Sequence, residues 1–123
     1  MRSSYLAEDV VLLLKDITGL VHPQPMEERE RLIQSGRHYS EMLPVEYVPT
    51  EKYMGVYREA LDRYAGQVAD AVGELSRAIM AVRGRNVVLV SLARAGIPAG
   101  ILVKRYIRQY YGADVPHYSI SII

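Results

Sequence analysis

The sequence predicts an α/β protein in which helices of the N-terminal two-thirds precede a strand, a turn, a helix and a second strand parallel to the first. Three observations carry this prediction. Asn86-Val87-Val88-Leu89-Val90-Ser91-Leu92 is a run of β-formers without alternation, as expected of a strand covered on both faces. A small-residue turn, Ala93 to Gly100, leads into Ile101, Leu102, Arg105, Tyr106 and Tyr110 at helical spacing, and Val115 to Ile123 resumes as a strand. Upstream, apolar positions from Tyr53 to Val82 keep a three-four rhythm. A strand-helix-strand unit of this kind crosses over right-handedly and makes its strands parallel.

Element by element, Ser4 to Asp16 reads as a first helix, with Leu6, Val10, Leu13, Leu14 and Ile17 at helical spacing and Gly19 marking its end. His22-Pro23-Gln24-Pro25 forces extended backbone, because each proline disfavours the helical region for the residue before it. Met26 to Ser35 is helical again, with Glu27, Glu28 and Glu30 favouring the positive end of the macrodipole and Gly36 at C′. Arg37 to Pro49, rich in Tyr, Pro and Glu, reads as an ordered connecting loop. Residues 1–49 therefore form a first region of helices and loop.

Thr50 suits an N-cap, and residues 50–84 form a second region, one long helix or a helix pair broken at Gly66 or Gly73. Unbroken, it would extend roughly 48 Å at about 1.5 Å per residue. Its apolar stripe is either a coiled-coil surface or, as the glycines favour, a core-facing helix pair. Gly84 closes it, and residues 85–123 form the start of the α/β region. There Pro98 fits a first helical turn and Gly112 ends the helix. In the last strand Tyr118, Ile120 and Ile122 face one way and Ser119 and Ser121 the other.

The 123 residues allow one domain, and a half-hydrophobic chain with 24% charged residues excludes a wholly disordered or collagen-like protein. The absence of cysteine excludes a disulfide framework, a thiolate metal site and a cysteine nucleophile within this chain. The longest apolar run near the start, Val10 to Leu14, is far too short to span a bilayer, and no signal core follows Met1, so a cytoplasmic protein is expected. The formal charge of +1 conceals an asymmetry. Residues 1–82 carry 9 basic and 13 acidic groups, whereas residues 83–123 carry 6 basic groups and Asp114 alone. A basic C-terminal third attracts phosphates or complements the acidic remainder within one fold.

The turn after Leu92 is where chemistry is expected. A helix N-terminus at the carboxyl end of a parallel strand points free amides outward and favours anions. Gly96 lets backbone approach a phosphate, Ala95 keeps the rim low, Arg94 offers a planar fork of donors, and Ser91 adds a hydroxyl. Neither the dinucleotide fingerprint nor an NTPase loop is present. Small residues after a strand also serve tight helix-strand packing.

Val87-Val88-Leu89-Val90-Ser91-Leu92-Ala93-Arg94-Ala95-Gly96-Ile97-Pro98 resembles the first strand and pyrophosphate-binding loop of type I phosphoribosyltransferases. Leu14-Lys15-Asp16, Glu28-Arg29-Glu30, Ile33-Gln34-Ser35-Gly36, His38-Tyr39-Ser40-Glu41-Met42-Leu43-Pro44 and Pro116-His117-Tyr118-Ser119-Ile120-Ser121-Ile122-Ile123 resemble the StiP-type family over nearly the whole chain. That family is linked to tellurium-resistance gene clusters and is described both as phosphoribosyltransferase-like and as a cysteine protease precursor. The resemblance implies N-terminal helices followed by the first βαβ of a type I phosphoribosyltransferase-like parallel sheet. It also implies a phosphoribosyl diphosphate or pyrophosphate held by Ser91, Ala93, Arg94, Ala95, Gly96 and Ile97, with Mg²⁺ carried by the diphosphate. The acidic pair and Gly-Thr turn of such enzymes do not occur in the chain, so the ribose-phosphate loop is expected downstream and this portion alone is expected to be inactive.

Two parallel strands leave edges that need neighbours, and the chain stops on Ser-Ile-Ile without a turn signal, as an N-terminal portion would. Standing alone, the chain is expected to cover those edges by association, as a homo-oligomer through a sheet edge or the long helix, or to remain partly unfolded. The alternative function is a non-catalytic phosphate-sensing or protein-interaction module with the Tyr-rich helix as partner surface. His38-Tyr39-Ser40-Glu41 invites a hydrolase reading, but triads assemble from distant positions and a polar loop is expected. His22, His38 and His117 lack metal-ligand spacing. Ten tyrosines with Arg83, Arg85, Lys104, Arg105 and Arg108 suggest an RNA surface, against which packing of the tyrosines on helix faces is the expected role.

Overall fold

The computed structural model describes residues 3–17 and 19–121, so the strand positions expected at Ile122 and Ile123 lie outside the described residues. In chain order the elements are β1 (Val11–Leu12), β2 (Pro23–Gln24), α1 (Met26–Gln34), β3 (Leu43–Pro44), α2 (Glu51–Arg83), β4 (Leu89–Leu92), α3 (Gly96–Tyr111) and β5 (His117–Ile120). Single 3-10 turns occupy Tyr39–Glu41 and Gly84–Asn86. The chain divides into two units, Met1–Leu14 with Tyr57–Ile122, and Lys15–Val56.

The first unit is built on a parallel sheet of order β1-β5-β4. Leu89 to Leu92 pair in register with His117 to Ile120, and Val11 and Leu12 pair with Tyr118 and Ser119. Backbone bonds from Leu13 to the Ser119 carbonyl and from Ala93 to the Ile120 carbonyl, both 2.8 Å, extend the ladders. Helix α3 lies on one face of this sheet and buries Ile97, Ile101, Val103, Lys104 and Ile107. Val103 and Ile107 join Ala113 and Val115 in one core cluster, against which Val72, Ile79 and Met80 of α2 pack. Val10, Ile97 and Ile101 form a second cluster. Gly112 ends α3 at φ 59°, the left-handed position for which glycine carries no Cβ penalty. The Arg85 guanidinium donates to the Tyr111 and Gly112 carbonyls at 2.6 and 3.4 Å, satisfying acceptors the helix end leaves free.

The helix expected over Ser4 to Asp16 does not form; residues 7–9 make a turn and Val11–Leu12 is a strand. Its apolar residues fit alternation as well as helical spacing. Val10 and Leu12 point toward α3, while Val11 and Leu13 are exposed. Pairing with the central strand, together with β-branching at Val10 and Val11, outweighs a local helical pattern.

The long helix is continuous from Glu51 to Arg83, so neither Gly66 nor Gly73 breaks it. Each glycine costs about 1 kcal/mol relative to alanine. At Gly73 the cost has a structural return: a Cβ there would lie 3.1 Å from the Tyr106 ring of α3. Its N-cap is as expected, with the Tyr53 amide donating to Thr50 Oγ1 at 3.2 Å.

Strand β4 is not covered on both faces within this unit. Ser91, His117 and Ser119 are the residues buried beneath α3, while Val88, Val90, Leu92 and Ile120 face outward and are exposed.

The second unit holds α1, with Glu27 and Glu28 in its first turn, and the parallel pair β2–β3, in which Pro23 meets Leu43 and Gln24 meets Pro44. Gly36 follows α1 at φ 96°. Met42 is buried, and Arg37 pairs with Glu41 at 3.3 Å. Among the described residues no helix is long and apolar enough to cross a membrane.

Candidate functional site

Register alone brings the distinctive side chains together. Leu89 faces His117 and Ser91 faces Ser119, so Ser91 and His117 are diagonal neighbours on the α3 side of the sheet. His117 is 2% exposed and Ser91 6%, too little for a substrate to reach either. Ser91 Oγ lies 2.5 Å from His117 Nε2, and His117 Nδ1 lies 2.9 Å from the backbone carbonyl oxygen of Asp9. A carbonyl oxygen only accepts, so Nδ1 carries a proton and donates to it, and in that tautomer Nε2 is the nitrogen that accepts from the Ser91 hydroxyl. Nucleophile, base and orienting group are arranged this way in hydrolases. Here the arrangement is roofed by α3. A Cβ on Gly100 would collide with both His117 Nε2 and Ser91 Oγ, so the helix backbone sits directly on the hydrogen bond. The Ser119 hydroxyl, fully buried opposite Ser91, has no hydrogen-bond partner among the described residues.

Asp9 ties the same layer to the helix surface. Its carboxylate accepts two bonds from Arg105, Nε to Oδ1 at 2.9 Å and Nη2 to Oδ2 at 2.5 Å, the planar fork-to-fork geometry of strong charge-assisted pairs. The hydrogen bonds from Arg105 hold the Asp9 carboxyl below its ordinary pKa of 3.8; burial opposes the shift, and the charges of Arg105, Arg108 and Lys104 reinforce it. A carboxyl lowered on folding stabilises the native state above its ordinary value, and that contribution disappears as the pH falls through the lowered one. Asp9→Asn is therefore expected to unfold at lower urea than the wild type at pH 7, with the gap narrowing below pH 3.8. A gap unchanged between pH 7 and pH 3 would show that the charge of Asp9 is not its source.

The residues read from sequence as a pyrophosphate cradle do not converge. Ser91 is turned under α3 onto His117, Ile97 is buried in the cluster with Val10 and Ile101, and Arg94 and Ala95 are exposed. Ala93 is half-buried, donating its amide to the Ile120 carbonyl, and the Ala93–Arg94 peptide bond is cis. Gly96 meets Ser91 at ordinary packing distance, with 3.6 Å from a built Cβ to the Ser91 Cβ. The glycines at 96 and 100, one helical turn apart, thus serve close approach of helix to strand.

Elsewhere, Glu41 of the His38-Tyr39-Ser40-Glu41 segment is engaged by Arg37, and His38 lies against the Tyr39 ring at 4.7 Å; the Ser40 side chain lies outside the described residues. Several cations considered for RNA have internal acceptors: Arg85 the α3 carbonyls, Lys104 Asp114 at 3.1 Å, Arg105 Asp9, and Arg108 Glu8 at 3.8 Å. The pairs to Glu8 and Asp9 join the acidic N-terminal and basic C-terminal parts, so the charge asymmetry is partly neutralised within the fold. Among the described residues no three His, Asp or Glu side chains gather closely enough to hold a metal ion.

Sequence reasoning missed His117 and Gly100. Polar residues at inward positions of two crossover-linked strands, Ser91 on one and His117 and Ser119 on the other, with glycines at 96 and 100, are the available signal.

A family model described as "Tellurite-like stress resistance cysteine protease StiP" matches residues 3–123. A protein named "Cysteine protease StiP" from Acinetobacter baylyi (strain ATCC 33305 / BD413 / ADP1) is 39% identical over 121 residues. The match covers 98% of this chain and 31% of that relative, so the chain spans under a third of the relative's length. No solved structure matches. These findings correct the functional expectation drawn from the turn at 93–97: the family and the relative are named as cysteine proteases, and nothing in them supports phosphoribosyl diphosphate binding, transferase activity or phosphate sensing. The physical reason is that the Ser91 hydroxyl and Gly96, read as ligand-facing, are committed to the packing of α3 on β4. By family match and by identity over nearly its whole length, the chain belongs to the StiP family.

Proposed function

We propose that these residues form part of a peptidase active in tellurite-like stress, in which they serve as a rigid frame and the thiol nucleophile is carried outside residues 1–123. The family name supports the activity. The observation that carries the division of labour is the burial of the Ser91–His117 pair beneath α3 in a chain that has no cysteine. A buried hydroxyl has no path to a peptide carbonyl, whereas a sheet locked to its crossover helix holds groups supplied by neighbouring segments in fixed positions. We read the frame as the first parallel unit of a phosphoribosyltransferase-like sheet, without a transferase role.

The test uses the native polypeptide that carries this chain, incubated with casein under reducing conditions. Hydrolysis is expected, abolished by iodoacetamide and retained in Ser91→Ala at temperatures where that variant stays folded. Absence of hydrolysis would refute the peptidase reading. Hydrolysis insensitive to iodoacetamide and lost in folded Ser91→Ala would instead make Ser91 the nucleophile.

A further inference from the structure

We infer that the sheet face turned away from α3 is a docking surface for an apolar helix of the same polypeptide, supplied by the part corresponding to the unmatched length of the Acinetobacter relative. Two rows make up this face. Val90, Tyr118 and Val11 stand side by side across β4, β5 and β1, and Leu92 and Ile120 form the next row. Val90 is 58% exposed, Val11 48%, Leu92 45% and Ile120 39%. Neither row contains a charged side chain, which disfavours nucleic acid or an anionic surface as occupant and favours the apolar stripe of a helix.

Parallel sheets are covered on both faces, and here the polarity is inverted relative to an edge layer facing water. The polar residues Ser91, His117 and Ser119 are inside and the aliphatic ones outside. Among the described residues of this unit no helix covers the open face: α3 covers the other one, and α2 packs through Val72, Ile79 and Met80 against the cluster containing α3 residues Val103 and Ile107.

Topology and length indicate the occupant. The step from β4 to β5 runs toward β1 with α3 on one face. With the same right-handed crossover, a strand added outside β4 requires its connecting helix on the opposite face. The chain matches only 31% of the relative, so more than enough polypeptide exists there to supply such a helix.

The test compares Val90→Lys with Val82→Lys, a control at a position 79% exposed on α2, in the native polypeptide. Val90→Lys is expected to lower the thermal midpoint by roughly 5–10 °C without changing the mass measured by light scattering, and Val82→Lys by less than about 2 °C. An unchanged midpoint for Val90→Lys would overturn the inference. So would a wild-type dimer that this substitution converts to monomer, which would make a second copy the occupant. Should Val90→Lys fail to fold, hydroxyl-radical footprinting of the wild type decides. Oxidation of Val90, Leu92 and Ile120 at about a tenth of the Val82 rate or less is expected, and oxidation at the Val82 rate would overturn the proposal. Neither readout depends on peptidase activity.

Discussion

Gly100→Ala is expected to destabilise the first unit by about 3 kcal/mol, although alanine is the better helix former. The added methyl has no free volume: its position lies 2.6 Å from His117 Cε1 and closer still to Nε2 and to Ser91 Oγ. The ring cannot retreat, because Nδ1 is bonded to the Asp9 carbonyl and the residue is 2% exposed. Relief therefore requires α3 to lift from the sheet, loosening Ile97, Ile101 and Val103 together. Gly66→Ala supplies the contrast. Nothing lies within 4 Å of a Cβ at position 66, so there the substitution is expected to stabilise by about 1 kcal/mol. Urea unfolding of both variants checks the pair; equal effects at the two positions would show that α3 does not rest on the Ser91–His117 bond.

His117→Ala carries the other large effect, a loss of about 3 kcal/mol. It opens a cavity between sheet and helix and leaves two buried polar groups, the Asp9 carbonyl and the Ser91 hydroxyl, without their partner. Ser91→Ala leaves only Nε2 unpaired and removes one small atom, so about half that loss is expected. Denaturation midpoints of the two variants should keep this order. A neutral His117→Ala would mean that the ring does not join β4 and β5 to the segment that precedes β1.

Much of the strand-helix-strand region from residue 85 onward is legible because its signals are local and agree. A run of β-formers, small residues, Pro98 and a glycine at 112 name the strand, the turn and both helix ends. Helix α1 and the Thr50 cap were readable for the same reason. The N-terminal segment was not, since Val10 to Leu13 satisfies both helical and alternating patterns until β5 selects the strand. Gly66 and Gly73 left one long helix and a broken pair both readable, and the structure selects the long helix because a single-residue propensity yields to the flanking helix and to the Tyr106 contact at Gly73. The site was misread at its centre. Gly96 and Ser91 fit an anion-binding turn by composition, and only the register of β4 against β5 reveals that Ser91 points at His117, 26 residues away.

Labelling of the folded native polypeptide with a fluorophosphonate probe, followed by peptide mass spectrometry, tests most directly the claim that Ser91 and His117 form a structural clamp. The account predicts no adduct on Ser91, whose hydroxyl lies beneath α3 at 6% exposure. An adduct on Ser91 formed under native conditions would contradict it and make the pair a working nucleophile and base.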